Sequence, residues 1–173
     1  MAANLLLIST PRGLEKEAAS ELFALLTHLG DEEPQIERTG VSGLLKVATT
    51  LPLEDVIAGV RRVVEEEPWQ IRYILRLIPV ERLVPSRIED IRKAVEELKD
   101  RIGEGESFRV TVEKRHTTLS SRELIEAAAS QIARKVDLED PDWVVLIEVV
   151  GRETGVSVVR PDKVLSIVKL KRR

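Results

Sequence analysis

The stretch SFRVTVEKRHTTLSSRELIEAAA, Ser107 to Ala129, changes its periodicity half-way along. In its first half Phe108, Val110 and Val112 alternate with Arg109, Thr111 and Glu113, the pattern of a strand with one wet face. Its second half opens on SSRE, a capping box from Ser120 to Glu123, and Leu124, Ala128, Ile132 and Val136 then recur at helical spacing. Between the halves sit two cations, a histidine and four hydroxyl residues. Downstream, WVVLIEVV (143–150) is apolar on both faces and reads as a central strand, with GVSVV and VLSIVKL as two further strand candidates.

Upstream of that stretch, SRIE is a second capping box, from Ser86 to Glu89, and Ile88, Ile91, Val95, Leu98 and Ile102 form an apolar stripe closed by GEGE. Pro85 and Ser86 mark a change of unit. The first unit starts with NLLLIST, a short buried strand, after which Thr10 and Pro11 predict an N-cap and first-turn proline for a helix bearing Leu14, Ala18, Leu22, Leu25 and Leu29. QIER and GLLKVATT follow as a hairpin around TGVSG. A second helix opens at Pro52, buries Leu53, Val56, Ile57, Val60 and Val64, and stops at EEEPW. IRYILRLIPVERLV then sets Ile71, Tyr73, Leu75 and Leu77 against Arg72 and Arg76, as a half-buried strand would. Strand, helix, strand, strand, helix, strand is the order of a ferredoxin-like unit. The expected fold is therefore α/β (α+β), with a ferredoxin-like unit over 1–80 and a second mixed domain over 81–173.

Composition narrows the chemistry. The chain has 173 residues, 43% hydrophobic and 33% charged, with no cysteine, so disulfides, thiol nucleophiles and Cys-ligated metals are excluded. No apolar run reaches the roughly 20 residues of a membrane helix, and the N-terminus lacks the pattern of a signal peptide, so a cytoplasmic location is expected. The two histidines, His28 and His116, have no second ligand at metal spacing. No G-x-S-x-G, P-loop or G-x-G-x-x-G motif is present, and Ser120 and Ser121 already serve as helix cap and first-turn residue. No catalytic residue, metal or cofactor is expected, and enzyme chemistry is not anticipated.

Nucleic-acid binding fits better, in a restricted mode. Aromatic residues make up 3% of the chain, too few for a base-stacking platform, so recognition would run through the backbone. A helix start presents free N–H groups and the positive end of the helix dipole. Lys114, Arg115, His116 and Arg122 add charge there, and Thr117, Thr118, Ser120 and Ser121 add hydroxyls. Charge is also uneven along the chain: Met1 to Val80 has 8 Lys/Arg and 12 Asp/Glu, whereas Phe108 to Arg173 has 13 and 10. Arg160, Lys163, Lys169, Lys171, Arg172 and Arg173 supply the late cations. The alternative is a protein-interaction module whose basic strand end is only solvated.

Phe108, Lys114, Arg115, Ser121, Glu123, Val136, Asp137, Leu138, Pro141, Asp142, Glu148 and Val149 fall where they do in the THUMP domain, which the chain resembles from near Val80 onward. It departs from that pattern at Ala127, Ala128 and Ala129, where many members carry glycine. The resemblance implies binding of tRNA and related RNAs, beside a ferredoxin-like companion unit, with RNA contact at Lys114, Arg115 and the helix start at Ser121. Its arrangement, with no catalytic domain assigned, is most similar to stand-alone THUMP proteins that act as tRNA-binding adaptors. In those, cytidine acetylation is carried out by a separate tRNA acetyltransferase; such an enzyme, or another modifying enzyme, is the implied partner here.

Overall fold

In a computed structural model, which describes residues 4–172, the elements run β1 (Asn4–Ser9), α1 (Glu15–Leu29), β2 (Gln35–Arg38), β3 (Leu44–Thr49), α2 (Leu53–Glu66), β4 (Arg76–Val80) and β5 (Arg82–Pro85). There follow α3 (Ile88–Leu98), β6 (Ser107–Arg115), α4 (Ser121–Ala129), β7 (Lys135–Val136), β8 (Trp143–Val150), β9 (Glu153–Val159), β10 (Leu165–Ser166) and α5 (Ile167–Lys171). The architecture is mixed α/β with two five-stranded sheets. Met1–Pro79 and Asp162–Arg173 form one compact unit and Val80–Pro161 the other.

The sheet of the first unit has the order β10-β4-β1-β3-β2, so its β4-β1-β3-β2 part and its βαββαβ connectivity match the ferredoxin-like arrangement. Leu6, Ile8, Leu22, Leu26, Val47, Val56 and Val60 meet in its core. α1 carries the expected apolar face and ends at Gly30, whose φ of 116° suits the left-handed closing turn. It starts later than Thr10 and Pro11 predict, at Glu15, because that loop has other partners. Thr10 N–H donates to Gly43 O at 2.8 Å, and the Glu15 carboxylate accepts from Gly13 N at 2.8 Å and Gly43 N at 3.0 Å. Gly43 is required there: its φ is +77°, and a Cβ would lie 2.8 Å from Thr10 O.

The long alternating run after α2 is also not one strand. Glu21, on α1, accepts from Arg72 N at 2.6 Å, Tyr73 N at 2.9 Å and Ile74 N at 3.0 Å. A carboxylate thus takes the amides a neighbouring strand would have used, Ile71 and Ile74 are both buried, and β4 begins only at Arg76. The rest of the run, β5, joins the other sheet.

That second sheet has the order β5-β9-β8-β6-β7, with β8 central as its two apolar faces predict. β6 runs parallel to β8, and β9 antiparallel to it. Phe108, Val145, Ile147, Val149, Val156 and Val158 pack against Ile91, Val95 and Leu98 of α3 and Leu124 and Ala128 of α4. Three expectations fail in this half of the chain. The Ser86 capping box does not form: α3 is preceded by Arg87 without a side-chain cap, and Ser86 Oγ lies 2.8 Å from Thr154 Oγ1 instead. α4 stops at Ala129, which leaves Val136 on β7 and 52% exposed. VLSIVKL is a two-residue strand followed by the short α5, and β10 pairs with β4. Residues 162–172 therefore belong with the first unit, not with 81–161. Leu165 and Ile167 are buried in that unit's core, which draws the tail there.

Candidate nucleic-acid interface

Lys114 and Arg115 end β6, and His116 turns the chain with a φ of 54°, the left-handed region that few non-glycine residues enter. The loop that follows is tied back on itself. Lys114 Nζ donates to Leu119 O at 2.9 Å, Leu119 N to Thr117 Oγ1 at 3.2 Å, and Glu123 N to Ser120 Oγ at 3.2 Å. Ser120 is thus the cap its sequence predicts. Among the described residues no acceptor meets the amides of Ser121 or Arg122. Arg122 is exposed and, among the described residues, pairs only with Glu126, at 3.1 Å. Arg115 is more committed: its guanidinium lies 3.4 Å from the carboxylate of Glu148, which is buried, so only part of its donor set is open to a ligand. Thr118 and His116 are exposed.

A second helix start joins this one through the sheet. Arg115 pairs with Val150, Val150 with Glu153, and Glu153 with Pro85, so the four form one row across β6, β8, β9 and β5. α4 starts shortly after the β6 end of that row and α3 shortly after the β5 end. Gly151 N donates to Arg115 O and Ser86 N to Arg152 O, both at 2.9 Å, which ties the intervening turn to each side. Arg87 and Arg152 are exposed and without a side-chain partner among the described residues. Because Ser86 bonds Thr154, no side chain caps α3, in contrast to α4, and no described acceptor meets the amides of Ile88, Glu89 or Asp90. One end of this unit therefore gathers two helix starts with Arg87, Lys114, Arg115, Arg122 and Arg152. Sequence reasoning missed Arg87, which it passed over inside a capping box, and Arg152, which it gave no role. Their nearness to Lys114 comes from the strand row, which no local spacing records.

Arg160 and Lys163 are not part of this group. Arg160 follows β9 at the opposite end of the sheet, 4.0 Å above the Trp143 ring centroid and 2.8 Å from Glu106 Oε2. Trp143 pairs with Phe108, seven strand steps from Arg115, on the order of 20 Å away. Glu106 also accepts from Trp143 Nε1 at 3.0 Å and Gly103 N at 2.8 Å. The Trp143 bond first, then Arg160 and the Gly103 amide, pull its carboxyl down to about 2. Lys163 lies with the first unit, as do Lys169, Lys171 and Arg172; Arg173 falls outside the described residues. Lys171 Nζ donates to Ile71 O at 2.5 Å. The surplus of late cations thus dissolves: the first unit holds 13 Lys/Arg and 13 Asp/Glu, the second 14 and 17, together the 27 and 30 of the chain. Any anion site is local, made by geometry rather than by net charge. Among the described residues, no cluster of His, Cys, Asp and Glu could hold a metal ion, and no helix is long and apolar enough to cross a membrane.

Residues 85–159, from the last residue of β5 to the last of β9, match the family model of the THUMP domain. The second unit carries a THUMP domain. Solved structures share the fold over most of the chain. PH1313 from Pyrococcus horikoshii Ot3 superposes with a TM-score of 0.65 at 19% identity, over 91% of this chain and 55% of that one. TrmN from Thermus thermophilus gives 0.58 at 22% identity, over 91% and 47%. A 4-thiouridine synthetase, solved as an RNA complex with bound ATP, gives 0.57 at 17% identity, over 91% and 42%. The chain spans about half the length of these proteins, or somewhat less. At such identities the likeness is one of fold. No curated protein sequence matches the chain.

Proposed function

We infer that this protein binds tRNA through its THUMP domain, gripping the RNA backbone at the sheet end where α3 and α4 begin. The observation that carries this reading is the convergence of two helix starts with five cations inside a segment that matches the THUMP model. Amides at a helix start and flanking guanidinium or ammonium groups are the standard donors for phosphate oxygens. A structure of the same fold solved with RNA supports the ligand class. Ser121, Thr117 and Thr118 would add hydroxyl donors, Ser120 would hold the α4 start in place, and His116 would shape the turn. Arg160 and Lys163 contribute less in this reading than their sequence suggests, since neither joins the group.

The role is that of a non-catalytic adaptor which presents tRNA to a separate modifying enzyme, such as a tRNA cytidine acetyltransferase. A titration of tRNA against salt tests the site. Charge reversal at Arg87, Lys114 and Arg152 together is expected to weaken binding and to reduce the salt slope by about one for each phosphate no longer neutralised. Arg160→Glu is expected to change neither. Equal behaviour of the triple variant and the wild type would rule the site out. For the role, this chain is expected to accelerate the acetyltransferase on tRNA and to modify no nucleotide alone; turnover without the second protein would reject it.

A further inference from the structure

β6 is nine residues long, but β7 covers its outer edge only at Ser107 and Phe108. The Phe108 carbonyl faces that edge and accepts from Asp137 N at 3.0 Å. Backbone groups alternate along a strand, so the N–H and C=O of Val110, Val112 and Lys114 face the same edge. Among the described residues none of these six groups has a hydrogen-bond partner. Arg109, Thr111, Glu113 and Arg115 instead face β8, as the bond from Gly151 N to Arg115 O confirms. An open edge of this length is a template for another strand.

The side chains on the edge say which strand fits. We propose that this edge pairs antiparallel with β6 of a second copy of this chain, about a two-fold axis at Thr111. That register sets Val110 against Val112 of the other copy as a mutually hydrogen-bonded pair, consistent with the direction of their backbone groups. It also sets Arg109 against Glu113, twice by symmetry. Glu113 is exposed without a partner among the described residues, and the Arg109 guanidinium is only partly engaged: its Nη1 donates to Leu138 O at 2.9 Å, while its Nε is the one buried side-chain donor without an acceptor among the described residues. Centring the pair on Val112 instead would oppose Arg109 to Arg115, two cations. The ladder ends after five residues, because beyond Glu113 the incoming strand meets Phe108, whose carbonyl is taken. Val136 and Leu138, 52% and 67% exposed, lie at that end and extend the contact with apolar surface. A ladder so short makes a weak, concentration-dependent dimer.

Sedimentation equilibrium of the full chain, up to about 1 mM, tests this. The mass is expected to move from one copy towards two as concentration rises. Glu113→Arg opposes two cations and Arg109→Glu two carboxylates, so each alone is expected to raise the midpoint at least about tenfold, while the double swap restores it. Hydrogen exchange supplies a readout that a folding defect would not imitate. The amides of Val110 and Val112 are expected to slow with concentration, and those of Thr111 and Glu113, already bonded to β8, to stay unchanged. A single copy at every concentration overturns the proposal, and so does self-association indifferent to the swaps. Capture of a foreign strand by a chain that stays monomeric would count against it equally.

Discussion

His116 has a backbone role that its place among the candidate RNA-binding residues does not convey. It holds the left-handed turn that ends β6, where a side chain with a Cβ costs about 1 kcal/mol or more relative to glycine. His116→Gly is expected to raise the melting temperature slightly and leave tRNA binding intact, whereas His116→Val lowers the melting temperature; thermal unfolding of the two variants checks this. Glu106 offers a pH test at the same scale. Its folded carboxyl lies near 2 against an ordinary 4.5, through the Trp143 and Arg160 bonds. A depressed carboxylate stabilises fully above the unfolded value and loses that contribution as pH falls towards the folded one. Wild type is therefore expected to exceed Glu106→Gln in melting temperature at pH 7 by a margin that shrinks between pH about 4.5 and about 2, as thermal scans across that range would show. Lys114 and Ser120 were legible as members of the candidate site because strand alternation and a capping box are local signals. Arg87 and Arg152 were not, because only the strand row between Arg115 and Pro85 joins them to Lys114.

Two helix starts with the same sequence pattern behave differently. Ser120 caps α4, so Ser120→Ala is expected to cost about 1 kcal/mol. Ser86 caps nothing and instead meets Thr154, which is fully buried. Ser86→Ala leaves that hydroxyl without its partner, while Ser86→Ala with Thr154→Val removes both ends. The pair is therefore expected to be markedly non-additive in chemical denaturation, the double variant costing less than the sum of the singles. Additive losses would show that the two hydroxyls are not coupled. A capping box specifies who could cap; the neighbouring strand decides whether the hydroxyl is available. The same holds for the run from Ile71 to Leu75, where an alternating sequence lost its strand to the carboxylate of Glu21, more than 50 residues upstream. Elements whose signal lies in their own residues, α1 with its apolar stripe and β8 with its two apolar faces, were legible; these two were not.

At the scale of the whole molecule, the two mixed units could be read from the order of elements, but not the return of the tail. VLSIVKL has the apolar content of a third strand for the second sheet, and nothing local distinguishes that from β10 on β4. Deleting residues 165–173 removes Leu165 and Ile167 from the first core, about 1.5–3 kcal/mol for each buried side chain. The loss is expected to appear in the exchange protection of β1 and β4 and not in that of β8; equal loss in both sheets would contradict the division of the chain. The path itself has a mechanical consequence. The chain leaves the first unit at Pro79 and re-enters it at Asp162, whose carbonyl accepts from Arg61 at 2.6 Å, so the THUMP domain is an insertion between two parts of its host. Tension applied through β1 and α5 loads the host alone, and the inserted domain feels none of it until the host has come apart.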